Sequence, residues 1–394
     1  MSFLETLAGQ VKGAFTGGGG PRAPLARTFA SPWASAMNGG APPFDYERAV
    51  RAGYVDNPIV QRAVRTVSEG VGSAPINCSE PQLAALLVAS SAGQSLVETL
   101  AAHLLLHGNA YIQVVKDGAG HPVELFALRP DRMSVVAEDD GWPVAYDYRI
   151  AGRSIRIELE DDAGWPQIVQ LKSFHPVDDH YGAGSLAAAS QALAIHNAAS
   201  RWNRALLDNA ARPSGALVFG AKDGDSLTTE QFERLKAELV AAYQGHVNAG
   251  RPMLLEGGLS WQSMSMSPAD MDFAALKAAA ARDIALAFGV PPMLLGLPGD
   301  NTYANYREAN RALWRLTLLP LAAKIHSGIA QGLELWFPSA ELGIDRDRVP
   351  ELGEDRERLW KQVASADFLT REEKRAMLGV GTDSPAESAL ENKS

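Results

Sequence analysis

From residue 57 onward the chain switches between two apolar periods, and the switches divide it. Asn57-Pro58 offers a helix cap followed by proline at the first helical position. Ile59, Val60, Ala63, Val64, Val67 and Val71 then recur at helical spacing until Gly72 and Pro75. A second helical pattern covers residues 82–107 and is broken at Ala92-Gly93. Between residues 110 and 174 the period falls to two. Stretches 111–115 and 123–126 flank Asp117-Gly118, which is a hairpin signal. Further strands are predicted at 133–137, 144–150, 154–159 and 168–171, with turns at Asp139-Asp140-Gly141, Ala151-Gly152 and residues 161–164.

Helical spacing returns at 185–211, in an alanine-rich run bounded by Gly184 and Pro213. A small α/β insert follows, with strands at 215–219, 253–256 and 260–264 and a helix at 229–243. A second alanine-rich helix, 269–288, leads into Gly289-Val290-Pro291-Pro292-Met293-Leu294-Leu295-Gly296 and a polar loop. The amphipathic helix behind that loop carries Pro320 in its interior, which removes one backbone bond and is expected to kink it. A strand is predicted around 333–337 and a charged helical tail at 351–378. The chain therefore goes out along one small-residue helix, builds a knob, and returns along another. No repeat of fixed period is present.

A chain of 394 residues exceeds the usual limit of one hydrophobic core, so several domains are expected. The single cysteine, Cys78, excludes an internal disulfide framework and a cysteine-based zinc site. Net charge is -10, whereas tight non-specific DNA binders are basic because phosphate neutralisation dominates their affinity. An acidic surface along which DNA slides without sticking stays compatible with that balance. The most apolar stretch, 86–106, is interrupted by Gln94, Glu98 and His103 and does not read as a membrane span. Residues 1–45, with Gly17 to Gly20 in a row and five prolines, read as a flexible arm. The first five residues lack the start of a secretory signal.

Candidate chemistry is sparse. His175, Asp178, Asp179 and His180 crowd one segment and could hold a metal, but Pro176 keeps it extended just before a helix, which favours a structural turn. His103 and His107 stand four apart with only leucines between them, which suits a helix end better than a metal pair. No Gly-x-Ser-x-Gly elbow is present. Arg307, Arg311 and Arg315 share one face at helical spacing, since steps of four drift only about 40° each. That face is either salt-bridged surface, with Glu308 as a partner, or is turned to neighbouring subunits or a polyanion.

Five strings, taken in order, resemble a known family. They are Asp179-His180-Tyr181-Gly182-Ala183-Gly184-Ser185-Leu186, Asn209-Ala210-Ala211-Arg212-Pro213-Ser214-Gly215, and Gly250-Arg251-Pro252-Met253-Leu254-Leu255-Glu256-Gly257-Gly258. The others are Ile284-Ala285-Leu286-Ala287-Phe288 continuing through residues 289–296, and Asn301-Thr302-Tyr303-Ala304-Asn305. Together they resemble the portal proteins of tailed bacteriophages, with a further likeness to portals of gene transfer agents.

The resemblance implies an α+β multidomain portal fold: an α+β wing, a two-helix stem, a small α/β clip, a kinked tunnel helix and a short helical crown. The implied bounds are arm 1–45, wing 46–184, stem helices 185–211 and 269–296, clip 212–268, and tunnel loop 297–303. Tunnel helix and wing return take 304–350, and 351–394 is crown with a disordered tail. It implies a dodecameric ring without enzymatic activity, cofactor, metal or membrane contact, assembled in the bacterial cytoplasm and carried at the capsid vertex of a virion or phage-like particle. Double-stranded DNA would be packaged and ejected through it, and terminase large subunit, head-tail adaptor and major capsid protein would be partners. Asp300, Asn301, Thr302, Tyr303 and Asn305 would line the channel, Arg307, Arg311 and Arg315 would face subunits or channel, and Pro320 would kink the helix. The readings from other classes are a metal-dependent hydrolase centred on 175–180 and a structural ring with no DNA role.

Overall fold

The computed structural model describes residues 45–91, 93–208, 215–219, 228–243, 259–263, 273–297 and 302–378. Asp45 caps a short helix, α1 (Tyr46–Val50), by accepting from the Arg48 amide. A π-turn at Arg51–Val55 then carries the chain to Asn57. Helix α2 (Pro58–Gly72) starts there as its sequence implies, with Asn57 Oδ1 accepting from the amides of Ile59 and Val60 at 3.0 and 3.2 Å. The 82–107 pattern divides around its glycine. After β1 (Ile76–Cys78) come α3 (Pro81–Val88), the short ladder of β2 (Ser90–Ser91) with β3 (Gln94–Ser95), and α4 (Leu96–Leu106).

Strands β4 (Asn109–Lys116) and β5 (Pro122–Leu128) form the predicted hairpin. β6 (Met133–Ala137), β7 (Pro143–Ile150) and β8 (Arg153–Glu158) make a second antiparallel sheet in that order. β9 (Ile168–Lys172) returns to the other edge of β4, so the first sheet runs β5-β4-β9. Side-chain parity along β4 then feeds two cores. Ala110, Ile112 and Val114 enter the main core with α2 and α4, while Tyr111 points the other way, onto Met133, Val135 and Tyr146 of the second sheet. The Tyr111 and Tyr146 rings meet edge to face at 5.7 Å, and Gln170 Nε2 donates to the Tyr111 hydroxyl at 3.2 Å.

Helix α5 (Ser185–Asp208) leaves this platform, and β10 (Gly215–Phe219), α6 (Thr229–Tyr243) and β11 (Leu259–Ser263) follow, with β10 and β11 paired antiparallel. The strand predicted at 253–256 lies outside the described residues. α7 (Phe273–Ala287) packs along α5. Leu186, Ala189 and Leu193 near the start of α5 join Ile284 near the end of α7 in the main core, so the two run antiparallel. α8 (Tyr303–Leu313), a π-turn at Trp314–Leu318 and α9 (Leu319–Gly332) then form one continuous helical run. β12 (Leu342–Ile344) pairs with β1, and α10 (Gly353–Ala364) and α11 (Arg371–Leu378) close the described chain.

Two expectations need correction. Residues 288–296 do not extend the second alanine-rich helix: α7 stops at Ala287, Gly289 turns the chain, and only a 3-10 turn at Pro292–Leu295 follows. The Pro291-Pro292 pair lacks the donors a helix would need. Nor do residues 333–337 form a strand; they are turns, and the strand is β12. Leu333 and Phe337 are buried because they continue the four-residue apolar stripe of Ile325 and Ile329. The alternation in Leu333-Glu334-Leu335 imitates a strand over too few residues to decide the period.

Backbones touch where α5 leaves the sheet. Gly108 follows α4 at φ +85°, and its carbonyl accepts from the Ser173 amide at 2.7 Å. The 182–184 segment crosses directly over it. A Cβ on Gly182 would overlap the Gly108 carbonyl and the Ser173 backbone, and one on Gly108 would overlap the Gly182 carbonyl. Asn109 Oδ1 fixes the crossing by accepting from the Gly182 amide at 2.8 Å. Farther along α5, the buried Asn57 cap donates through Nδ2 to Asn197 Oδ1 at 2.7 Å and to His196 Nδ1 at 2.9 Å. Because Asn57 Oδ1 is held by amides, Nδ2 must be the donor, so His196 accepts at Nδ1 and is neutral with its proton on Nε2.

Replacing Gly182 by Ala is expected to cost more than about 3 kcal/mol, against about 1 kcal/mol for Gly152→Ala, where φ is +77° but the space is open. Thermal melts of the two variants check this; equal effects would remove the crossing as a constraint. Acid should also destabilise the fold. Burial lowers the His326 pKa to about 4, and His103 falls to about 4 through burial and then the neighbouring His107. A histidine held neutral in the fold contributes stability that is complete above the unfolded pKa of about 6.5. That stability is lost as pH falls from there towards 4, at up to about 3 kcal/mol for each such group. The melting point should therefore drop across that window, and His326→Leu should flatten the drop.

Candidate functional site

The long α8–α9 run and the turn that precedes it hold most of the residues singled out above. Asp300 and Asn301 lie outside the described residues. Thr302 caps α8, its Oγ1 accepting from the Asn305 amide at 3.2 Å. Tyr303 and Tyr306 project from the first turn, at 80% and 51% exposure, and the Arg307 guanidinium lies over the Tyr303 ring at 5.8 Å. Asn305 is exposed on the same turn.

The three arginines do not share one environment. Arg311 is mostly covered and pairs with Glu308 at 3.1 Å, one helical turn earlier. Arg315 falls inside the π-turn and is exposed. It lines a cavity of about 640 Å³ together with Arg346, Arg356 and Arg358, over a floor that includes Leu319, Pro320, Leu352 and Leu359. Arg356 is neutralised by Asp347, which it grips with two nitrogens, and this holds the Asp347 carboxyl below its ordinary range.

Pro320 sits in the first turn of α9, and the π-turn ends just before it. The Leu319 amide reaches back five residues to the Trp314 carbonyl. A π-turn is the usual way a helix absorbs such an irregularity. It also has an external tie: Thr317 Oγ1 donates to the Gly289 carbonyl at 2.6 Å. Gly289 has φ +66°, and a Cβ there would lie 2.7 Å from that same hydroxyl oxygen. The end of α7 and the irregular turn of the long helix are thereby locked together.

The two alanine-rich helices bury mainly small residues against each other and the core, among them Ala189, Ala199, Ala280, Ala281 and Ala285. Their outer faces expose Trp202, Leu276 and Leu286, at 47%, 45% and 78%.

The 175–181 cluster is used as a turn. Asp178 Oδ1 accepts from the amides of His180 and Tyr181 at 2.8 and 2.9 Å, and His175 Nδ1 accepts from Val177. His180 is buried with Nε2 at 2.6 Å from the Gly141 carbonyl, and the Val135 amide donates to the Tyr181 hydroxyl. Among the described residues no group of three or more His, Cys, Asp or Glu is placed to hold a metal ion. His107 packs edge to face on Tyr46 at 4.7 Å, and burial lowers its pKa. Sequence reasoning missed the π-turn, the Thr317 tie and the arginine cavity. Only Gly289 and Pro320 signalled them, each as a break rather than a contact.

A family model described as phage portal protein matches residues 58–379. An uncharacterised protein of Rickettsia bellii (strain RML369-C) is 40% identical over 340 residues, which cover 83% of this chain and 87% of the relative. The portal protein of Enterobacteria phage HK97 is 23% identical over 256 residues, or 64% of this chain and 56% of that protein. A chain in a solved structure, the neck of a native gene transfer agent particle with C12 symmetry, is 48% identical. It superposes with a TM-score of 0.66 over 89% of this chain and 99% of that one.

Thr317→Val removes the tie to Gly289 while keeping the shape of the side chain. It should lower stability by about 1 kcal/mol, and Thr317→Ser should restore it. Thermal midpoints check this; a Val variant indistinguishable from the parent would show the hydroxyl to be idle.

Proposed function

The chain belongs to the phage portal protein family, and from that premise we propose that it forms the ring at a capsid vertex through which double-stranded DNA enters and leaves. The observation that carries the reading is a surface one chain leaves unfinished. Trp202, Leu276 and Leu286 stand exposed on paired small-residue helices, and Tyr306 and Leu316 stand exposed on the long helix. Each such side chain gains about 1.5–3 kcal/mol when fully buried, and a closed ring buries the same patches on every copy. Twelve copies is the number that the C12 symmetry of the similar neck structure favours.

In this reading α5 and α7 are the stem, residues 212–268 the clip, residues 46–184 the wing and residues 351–394 the crown. Residues 297–303 form the tunnel loop, and 304–350 hold the tunnel helix and the return to the wing. The loop carries Asp300, Asn301, Thr302 and Tyr303 towards the DNA, with Asn305 behind it, and the π-turn before Pro320 gives the helix its bend. Arg307 and Arg311 then act at subunit contacts or at the channel edge. The chain's net charge of -10 is repeated on every subunit, so the wall repels phosphate and lets DNA move with few lasting contacts. No step here asks for catalysis, cofactor or metal. Clip and wing are the surfaces offered to terminase, head-tail adaptor and capsid protein, on a ring assembled in the bacterial cytoplasm and carried in the particle.

Deleting residues 299–301 while keeping the Thr302 cap should leave rings intact in electron micrographs yet lower the amount of DNA that particles retain. Unchanged packaging and retention would take the loop out of the mechanism.

A further inference from the structure

Among the described residues, the cavity beside the π-turn is lined by four arginines and five apolar residues, and by no carboxylate. The arginines come from three separate elements. Arg315 belongs to the π-turn, Arg346 to the 3-10 turn Arg346–Arg348, and Arg356 and Arg358 to α10. A smooth channel for DNA gives this hollow no task.

One of the four is already satisfied. Arg356 grips Asp347 with two nitrogens, and Asp345 also acts on it. A carboxylate has two oxygens in one plane, and a single guanidinium fork uses both. Arg315, Arg346 and Arg358 form no ion pair among the described residues. Like charges gathered round one hollow repel each other, and an anion between them relieves that repulsion. The chain carries a net charge of -10, so three cations left without partners in one place stand against its overall balance.

The arrangement selects the kind of anion. Phosphate oxygens point in several directions and can accept from forks on different elements at once, whereas a carboxylate serves one fork. The hollow measures about 640 Å³, which falls within the ~300–1,000 Å³ of small-molecule sites and is roomy for a lone inorganic ion. Its floor is apolar, with Leu352 buried and Leu319 and Pro320 beside it. A ligand with carbon between its charges therefore has a surface to rest on.

We propose that this cavity binds phosphate groups carried on a sugar scaffold. Two or more phosphates meet Arg315, Arg346 and Arg358, and the sugar carbons lie on Leu319, Pro320 and Leu352. Arg356, held by Asp347, forms the fixed wall. A nucleic-acid backbone and a free nucleotide both carry this chemistry. The site rests on the cavity alone and holds whether or not a ring conducts DNA.

The test titrates the full chain with ATP in the absence of magnesium, by calorimetry, and with a short labelled DNA duplex, by anisotropy. Arg315→Gln with Arg358→Gln should weaken phosphate binding by about tenfold or more. For the duplex it should also reduce the slope of log affinity against log salt by about 2. Both side chains are exposed and unpaired, so the melting point should not move. Arg65→Gln with Arg156→Gln removes the same charge elsewhere on the surface and should change binding by less than about twofold. Duplex binding that the cavity pair weakens assigns the phosphates to DNA, and ATP binding without duplex binding assigns them to free nucleotide. Failure of both ligands to bind would overturn the proposal, as would binding that the cavity pair leaves unchanged or that the remote pair weakens equally. Displacement of ATP by citrate as readily as by pyrophosphate would also overturn it, since the arginines would then suit carboxylates, such as those of an acidic loop on a neighbouring subunit.

Discussion

The crossing of two backbones at Gly108 and Gly182 is the contact on which the rest of the structure depends. It fixes where α5 leaves the sheet, because neither strand of chain can move outward without losing the Asn109 and Ser173 hydrogen bonds. α5 in turn sets α7 beside it, and α7 delivers the Gly289 turn to the long helix. Asn57, at the other end of the platform, pins α5 again through His196 and Asn197. The direction of the α5–α7 pair is therefore decided by glycines and amides buried in the platform.

The long helix is held at its weakest point. A π-turn next to a proline has poorer backbone bonding than the helix on either side. Thr317 adds a bond from that turn to the Gly289 carbonyl, which ties it to the end of α7. Arg315 points into the arginine cavity from the same turn. One turn of helix thus meets the turn after α7 and the C-terminal helices together.

What was legible in the sequence was local. The Asn57-Pro58 cap, the Asp117-Gly118 hairpin and the alanine-rich helices each write their geometry within a few residues. The second role of Asn57 was hidden because His196 and Asn197 lie some 140 positions away. The Asp179 to Leu186 string was recognisable as a family marker, yet its physical cause, Gly182 against Gly108, needs both chains in view. Leu333 and Phe337 were misread because a four-residue stripe and a two-residue alternation coincide over so short a stretch. Arg307, Arg311 and Arg315 recur at helical spacing, yet their surroundings differ: Arg311 pairs with Glu308, and Arg315 borders a cavity with arginines from elements that follow, which spacing alone does not disclose.

The central claim is that one chain is an incomplete object, whose small-residue helices finish their burial against a neighbour in a closed circle. Hydroxyl-radical footprinting of the isolated chain and of the same chain in native particles tests it at Trp202, Leu276 and Leu286. The account predicts strong protection of all three in the particle and ready oxidation in the single chain. Equal oxidation in both would mean that these faces never meet another subunit, and would contradict it.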